Sequence, residues 1–486
     1  MRHVLAIDAG TTGVTALMVA DNGSIAGRGY REVRQFFPKP GWVEHDAEQI
    51  FDATIAAARD AIAGAKSTPV SIGITNQRET AVAWDRASGK PLQRAIVWQD
   101  RRTAERCVEL ARDHGKEITR KTGLVVDAYF SSTKFEWILR QHERPARLAL
   151  GTVDAWLIWK LTGGKVFATD PTNASRTMLY DIDAGVWSPE LCKLFSIPAD
   201  ALPEVRPSSG DFGSTMAEVV GSAIPIRGVA GDQQSALFGQ GCWTAGAAKN
   251  TYGTGAFLLL HSGATRPEGG QGILTTVACD SRGRSAYALE ASIFIAGAAV
   301  QWLRDGLGII RDAAETKALA ESLESNDGVY FVPALTGLGA PHWAPDARGT
   351  IVGLTRGSTR AHLARAALEA MAYGTNDVLR AMAAASGTTG WSLRVDGGAT
   401  ANDWLMQFQS DVLGVPVERP DCIETTALGA AGLAGIASGV WSSAEEFIGG
   451  RTFERFTPKM APARAKALLA EWHRAVDAAI HWAGSR

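Results

Sequence analysis

Two glycine-rich turns, each set directly behind a short apolar strand, constrain this chain more than any other feature. The first follows Val4-Leu5-Ala6-Ile7 and reads Asp8-Ala9-Gly10-Thr11-Thr12-Gly13. The second reads Asn250-Thr251-Tyr252-Gly253-Thr254-Gly255 and leads into an apolar strand over residues 256–260. A short apolar run that ends in small polar residues predicts a buried strand, and ligands gather at the carboxyl ends of such strands in α/β folds. Residues 15–20 and 25–33, separated by Asp21-Asn22-Gly23, predict an antiparallel hairpin behind the first turn. Asp46, with Gln49 three residues on, predicts a helix start. Ile50, Thr54, Ile55, Ala58 and Ile62 then follow at helical spacing. Residues 70–75 predict a further buried strand, ending in Asn76-Gln77-Arg78-Glu79. A third turn, Asp396-Gly397-Gly398-Ala399-Thr400, follows a long helix that Thr359 opens and that runs to about Ala385. The recurrence predicts two domains of related α/β architecture, residues 1–244 and 245–486, around a shared hinged cleft.

A length of 486 residues exceeds what one core usually serves, which agrees with that division. The apolar share of 46% and charged share of 21% exclude a disordered chain or a coiled coil. Lys and Arg number 49 against 51 Asp and Glu, a net charge of -2, so neither a nucleic acid nor an anionic membrane is expected as partner. The longest apolar run, residues 291–300, is too short to span a bilayer, and the first residues lack a signal-peptide pattern. No integral membrane segment is expected. Five scattered cysteines without a C-x-x-C pair predict reduced thiols and a cytoplasmic location.

Several groups offer chemistry, each with a plainer alternative. The Asp8–Gly13 turn can bring backbone and hydroxyl donors to phosphate oxygens while Asp8 holds Mg2+ through water; it can equally be a simple hairpin turn. Asp232, in Gly231-Asp232-Gln233-Gln234, can accept a proton from a substrate hydroxyl or can cap a helix over 233–239. Arg78 and Glu79 offer a donor and an acceptor to a polyol, or form a surface ion pair. Trp98 and Tyr129 can cover the carbon face of a ligand or simply pack in a core. Ala63-Gly64-Ala65-Lys66-Ser67-Thr68 imitates the end of a phosphate-binding loop, but Asp60 and Ala65 stand where glycines are needed, and the segment runs from helix to strand. No G-x-S-x-G elbow or H-E-x-x-H motif supports a hydrolase.

Taken in order, these segments resemble the FGGY carbohydrate kinase family, and within it the members that act on glycerol. The resemblance rests on Asp8–Thr12, Ile72-Gly73-Ile74-Thr75-Asn76-Gln77-Arg78-Glu79, Ile96-Val97-Trp98-Gln99, Gly231-Asp232-Gln233-Gln234, Asn250–Gly255 and Val395-Asp396-Gly397-Gly398. Pro38-Lys39-Pro40-Gly41-Trp42-Val43-Glu44-His45-Asp46, Gly151-Thr152-Val153-Asp154 and residues 172–178 extend it. Two broader signatures do so too, around 129–142 with Lys134 and Trp137, and around 349–369 with Gly353-Leu354-Thr355-Arg356-Gly357. It runs from residue 4 to about 440.

The resemblance implies an α/β fold of two actin-like (ribonuclease H-like) ATPase domains flanking a deep cleft, and ATP-dependent phosphorylation of glycerol. It places Arg78, Glu79, Tyr129, Asp232 and Gln233 on the glycerol hydroxyls, Trp98 and Phe257 on its carbon side, and Asp232 as general base. It places Thr11 and Thr12 on the phosphates, Asp8 near Mg2+, and Thr254, Gly297, Gln301, Gly398 and Asn402 on the nucleotide. It further implies a homo-oligomer, dimer or tetramer. Two positions depart from the family pattern: Ala9 replaces a usual glutamine and Thr15 a usual arginine. Residues 219–225 are also shorter than the loop that binds fructose 1,6-bisphosphate in some bacterial relatives, so that control is not expected. Two other readings stay open: a kinase of the same family for another polyol or ketose, and a nucleotide-driven switch without catalysis.

Overall fold

The computed structural model describes residues 1–388 and 390–484. Two sheets dominate it, and they share a strand order. In the first, Ile226–Gly231, Ser71–Asn76, His3–Ala9, Gly13–Ala20 and Ile25–Glu32 lie side by side. His3–Ala9 runs parallel to Ser71–Asn76 and antiparallel to Gly13–Ala20. In the second, Ala247–Tyr252 takes the same central place, parallel to Ser392–Gly397 and antiparallel to Ala256–Gly263. Ser285–Ile293 and Leu274–Cys279 extend this sheet on one side, Val417–Pro420 and Phe453–Phe456 on the other.

The parallel registers explain why distant segments meet. Ala9 and Gly231 both stand beside Asn76, so Asp8, the 76–79 cluster and Asp232 emerge at one edge. Tyr252 stands beside Gly397 in the same way, joining the second and third turns. The third turn differs from a plain turn: it folds as a short 3-10 helix, Gly398–Ala401.

Helix Ala47–Ala65 covers the first sheet, and the Asp46 carboxylate caps it through the amides of Glu48 and Gln49. Its contact stripe is the expected one only in part: Ile50, Thr54 and Ala58 are buried as the spacing predicts. Ile55 and Ile62 are only half-buried, while Ala57 and Ala61 are fully buried. The reason lies on the strand beneath: a Cβ on Gly29 would sit 2.0 Å from the Ala57 carbonyl, and one on Gly27 2.1 Å from that of Ala61. Glycines there let the helix backbone rest on the strand, so small residues make the contact. Helix Arg360–Ser386, opened by a Thr359 capping box, packs on the second sheet.

The two halves are not separate lobes throughout. Helix Thr425–Ala437 lies against the first sheet and against helix Asp232–Gly239, where Gly429 touches the Ser235 carbonyl too closely for any side chain. Among the described residues no helix is long and apolar enough to cross a membrane, and the five cysteines are free thiols.

Candidate active site

The carboxyl edge of the first sheet carries a buried ionic cluster. The chain leaves strand Ser71–Asn76 and turns sharply, with Glu79 at φ 62, a strained value for a residue with a β-carbon. The turn is held from behind. The Glu79 carbonyl accepts hydrogen bonds from Ser131 Oγ at 3.0 Å and Lys134 Nζ at 3.2 Å, and Lys134 also donates to the Tyr129 carbonyl at 2.6 Å. Lys134 sits on helix Ser131–Gln141 with no exposure, and burial lowers its ammonium to about 7.

Arg78 and Glu79 do not form a surface pair; both side chains are 2% exposed. Arg78 Nε lies 3.1 Å from the Asp232 carboxylate, and Nη1 donates to Gln234 Oε1 at 3.1 Å. Arg176 Nε donates to Glu79 Oε1 at 2.6 Å. Asp232 opens helix Asp232–Gly239 rather than capping it from outside: Gly231 is the cap, and the Asp232 carboxylate accepts the Gln233 amide at 2.7 Å. Its side chain remains 31% exposed, the most open of the group. Burial raises the Asp232 carboxyl, against the pull of Arg78, so it is a more basic acceptor than a free aspartate.

Aromatic rings close one side. Tyr129 and Trp98 meet edge to face, with centroids 5.6 Å apart, and Trp98 Nε1 donates to Thr11 Oγ1 at 3.0 Å. Thus the Gly10–Gly13 turn, with Thr12 exposed at its tip, adjoins the aromatic pair. Phe257 stands opposite Ser292, on the same sheet face as the directly paired Leu259 and Glu290. Glu290 reaches Arg78, so this face of the second sheet looks onto the cluster. Lys249, on Ala247–Tyr252, donates to Gln233 and, at 2.9 Å, to Thr251 Oγ1.

Asp8 projects from the same edge. Burial, together with the carboxylates of Asp232 and Glu424, pushes it up to about 8. Mutually repelling carboxylates suit a hard divalent cation. Among the described residues no three His, Cys, Asp or Glu side chains converge on one point, so such an ion would complete its shell with phosphate and water oxygens.

A cavity of about 520 Å³ opens in the second half. Thr254, Gly297, Gln301, Gly398 and Asn402 all line it, with Met371, Leu368 and Val300 as apolar walls. Helix Gly297–Gln301 starts against the Gly253 carbonyl, and Asn402 caps helix Asp403–Leu413 through the Leu405 amide at 3.2 Å. A second space of about 790 Å³ shares Gly398 and Ala401 with it and reaches Thr251, the partner of Lys249. The second space thus reaches strand Ala247–Tyr252, which carries Lys249.

Of the residues singled out in the sequence, Arg78, Glu79, Asp232, Tyr129 and Trp98 come together at the edge of the first sheet, and Thr254, Gly297, Gln301, Gly398 and Asn402 line the cavity. Glu290, Arg176, Lys134 and Lys249 were not assigned roles. Arg176 and Lys134 lie inside recognised motifs, whereas Glu290 only borders the apolar run 291–300.

Two sheets of matching strand order, a polar cleft at their facing edges and a large cavity beside it define a two-domain actin-like ATPase fold. Family models identify the chain's line of descent within that class. The model of the N-terminal domain of the FGGY family of carbohydrate kinases matches residues 3–239, and that of the C-terminal domain residues 248–438. The chain belongs to the FGGY family of carbohydrate kinases. It is 52% identical over 496 residues to a glycerol kinase of Dechloromonas aromatica, covering 100% of this chain and 99% of that protein. It is 54% identical over 493 residues to one of Chromobacterium violaceum, covering 99% of both. Among solved structures, Plasmodium falciparum glycerol kinase with ADP superposes with a TM-score of 0.94 at 36% identity, over 99% of this chain and 98% of that one. A gluconate kinase from Lactobacillus acidophilus, 21% identical with a TM-score of 0.89 over 100% and 99% of the two chains, shares the fold.

Proposed function

We propose that this chain transfers the γ-phosphoryl group of ATP to glycerol, giving sn-glycerol 3-phosphate and ADP. The observation that carries the reading is the polyol cluster itself. Arg78, Glu79, Tyr129, Asp232 and Gln233, drawn from segments far apart in sequence, meet at one strand edge in a chain over half identical to proteins named glycerol kinase. Asp232 accepts the proton of the terminal hydroxyl as its oxygen bonds to phosphorus and the bond to the β-phosphate oxygen breaks. Arg78 and Glu79 hold the remaining hydroxyls, while Trp98 and Phe257 face the carbon skeleton. Buried paired donors and acceptors of this kind reject an analogue that lacks one hydroxyl by about 10^4-fold.

Thr254, Gly297, Gln301, Gly398 and Asn402 hold the nucleotide, with Thr11 and Thr12 on its phosphates. Asp8 would hold Mg2+, which would neutralise phosphate charge. The division into domains 1–244 and 245–486 lets the second close over the first and keep water from the γ-phosphoryl group. A cytoplasmic homo-oligomer, dimer or tetramer, completes the reading. A coupled ADP-release assay across glycerol, dihydroxyacetone, erythritol and xylulose tests it. Glycerol should give the highest kcat/KM; a higher value for any other substrate overturns the assignment.

A further inference from the structure

The group that holds Arg78 most firmly comes from the second sheet. Glu290, on Ser285–Ile293, accepts Arg78 Nη1 at 2.6 Å and Nη2 at 2.8 Å, and the same carboxylate accepts Arg176 Nη2 at 3.1 Å. Both guanidiniums in turn border carboxylates at the polyol site: Arg78 Nε lies 3.1 Å from Asp232 and 3.6 Å from Glu79, and Arg176 donates to Glu79 at 2.6 Å. One buried carboxylate thus fixes two cations and, through them, two anions, of which Asp232 is the one open to the cleft. Glu290 is 3% exposed and Arg176 not at all. A two-point Arg–carboxylate contact fixes the guanidinium plane as well as its position. Buried ion pairs of this kind add little net stability, and removing one partner leaves the other uncompensated. Their value lies in geometry. Here that geometry crosses between the sheets, because Glu290 stands on the second sheet and Arg78 follows a strand of the first.

We propose that Glu290 is a positioning residue for the polyol site, through which the second sheet sets the orientation of Arg78, Glu79 and Asp232. This rests on the reading of those three residues as the polyol-binding set. Glu290 does not line the nucleotide cavity, and its partners are Arg78 and Arg176, so its loss should act on glycerol and not on ATP.

Full-length E290Q and E290D test it, with kcat and both KM values measured beside the parent and folding checked by near-UV circular dichroism. E290Q keeps the shape but loses the charge; kcat/KM for glycerol should fall by about 10^2-fold, the cost of misplacing reacting groups by about 1 Å. The KM for ATP should stay within about twofold, below the energy of one weak contact. E290D keeps the charge but is too short to span both arginines, and should fall between E290Q and the parent. A folded E290Q with parental glycerol kinetics overturns the proposal, as does an equal loss toward both substrates. Should E290Q fail to fold, a folded E290D with parental glycerol kinetics overturns it and a selective glycerol defect supports it. A parent that releases no ADP with glycerol contradicts the polyol reading and so removes the premise; an active parent with an indistinguishable E290Q contradicts this inference alone.

Discussion

Asp232 occupies the one position in the ionic cluster that is both paired to a cation and open to the cleft, 3.1 Å from Arg78 and 31% exposed. Burial raises its carboxyl above the ordinary aspartate range, which suits proton acceptance from a hydroxyl. D232N should therefore lower kcat by about 10^2–10^4-fold while changing glycerol affinity only modestly. Steady-state kinetics check this, and an unchanged kcat removes Asp232 from the role. Thr15 gives a second residue-scale expectation. It stands directly opposite Asp8 in the strand register, so both side chains leave the same face. An arginine there would project beside the phosphate turn. T15R should lower the KM for ATP severalfold, as one partly exposed charge contact of about 1 kcal/mol would. An unchanged ATP titration shows that the missing cation has no consequence. Asp8, Arg78 and Asp232 were legible because each ends an apolar strand in a recognisable motif. Glu290 was not: its partner Arg78 lies 212 residues earlier, and only the folded register of two sheets brings them together.

Strands and helices with a strong period were readable to within a few residues. Helix Arg360–Ser386 and its Thr359 cap are an example, because the cap chemistry is local. The stripe of helix Ala47–Ala65 was legible at Ile50, Thr54 and Ala58 but not at Ile55 and Ile62, because glycines on a strand elsewhere in sequence decide which helix residues touch it. The last helix, Pro462–Gly484, belongs to the same class of tertiary contact. It is anchored where Trp472 Nε1 donates to Asp377 at 2.7 Å and His473 Nε2 meets the same carboxylate at 2.9 Å. Burial works to raise Asp377, but the hydrogen bonds of His342, His473 and Trp472 outweigh it and hold it at about 2. The bond to Asp377 raises His473 above its usual 6.5. The Asp377 contribution is present above 3.8 and fades only as the pH falls through about 2. The His473 contribution is complete below 6.5 and is lost as the pH rises through its raised value. The anchor is thus weaker at alkaline pH. H473Q should narrow the difference between the melting temperatures at acid-neutral and alkaline pH by about 1 °C, small because the ring is half-exposed. Identical pH dependence in both proteins contradicts the anchor.

At the scale of the molecule, two sheets of one strand order present their functional edges to a common cleft, the ionic cluster on one side and the nucleotide-sized cavity on the other. The recurrence of strand and glycine turn near residues 8 and 250 foretold this pairing. It did not foretell helix Thr425–Ala437, which carries the second half back onto the first sheet. Its small residues pack against backbone and leave no amphipathic signal. That helix and the Glu290–Arg78 contact both join the second half to the first. The most direct measurement is a crystal structure with glycerol and a non-hydrolysable ATP analogue bound together. The account predicts a terminal glycerol oxygen within hydrogen-bonding distance of the Asp232 carboxylate, with the terminal phosphate in line on its other side. A glycerol bound away from Asp232 and Arg78, or a nucleotide outside the cavity formed by Thr254, Gly297 and Gly398, would contradict it.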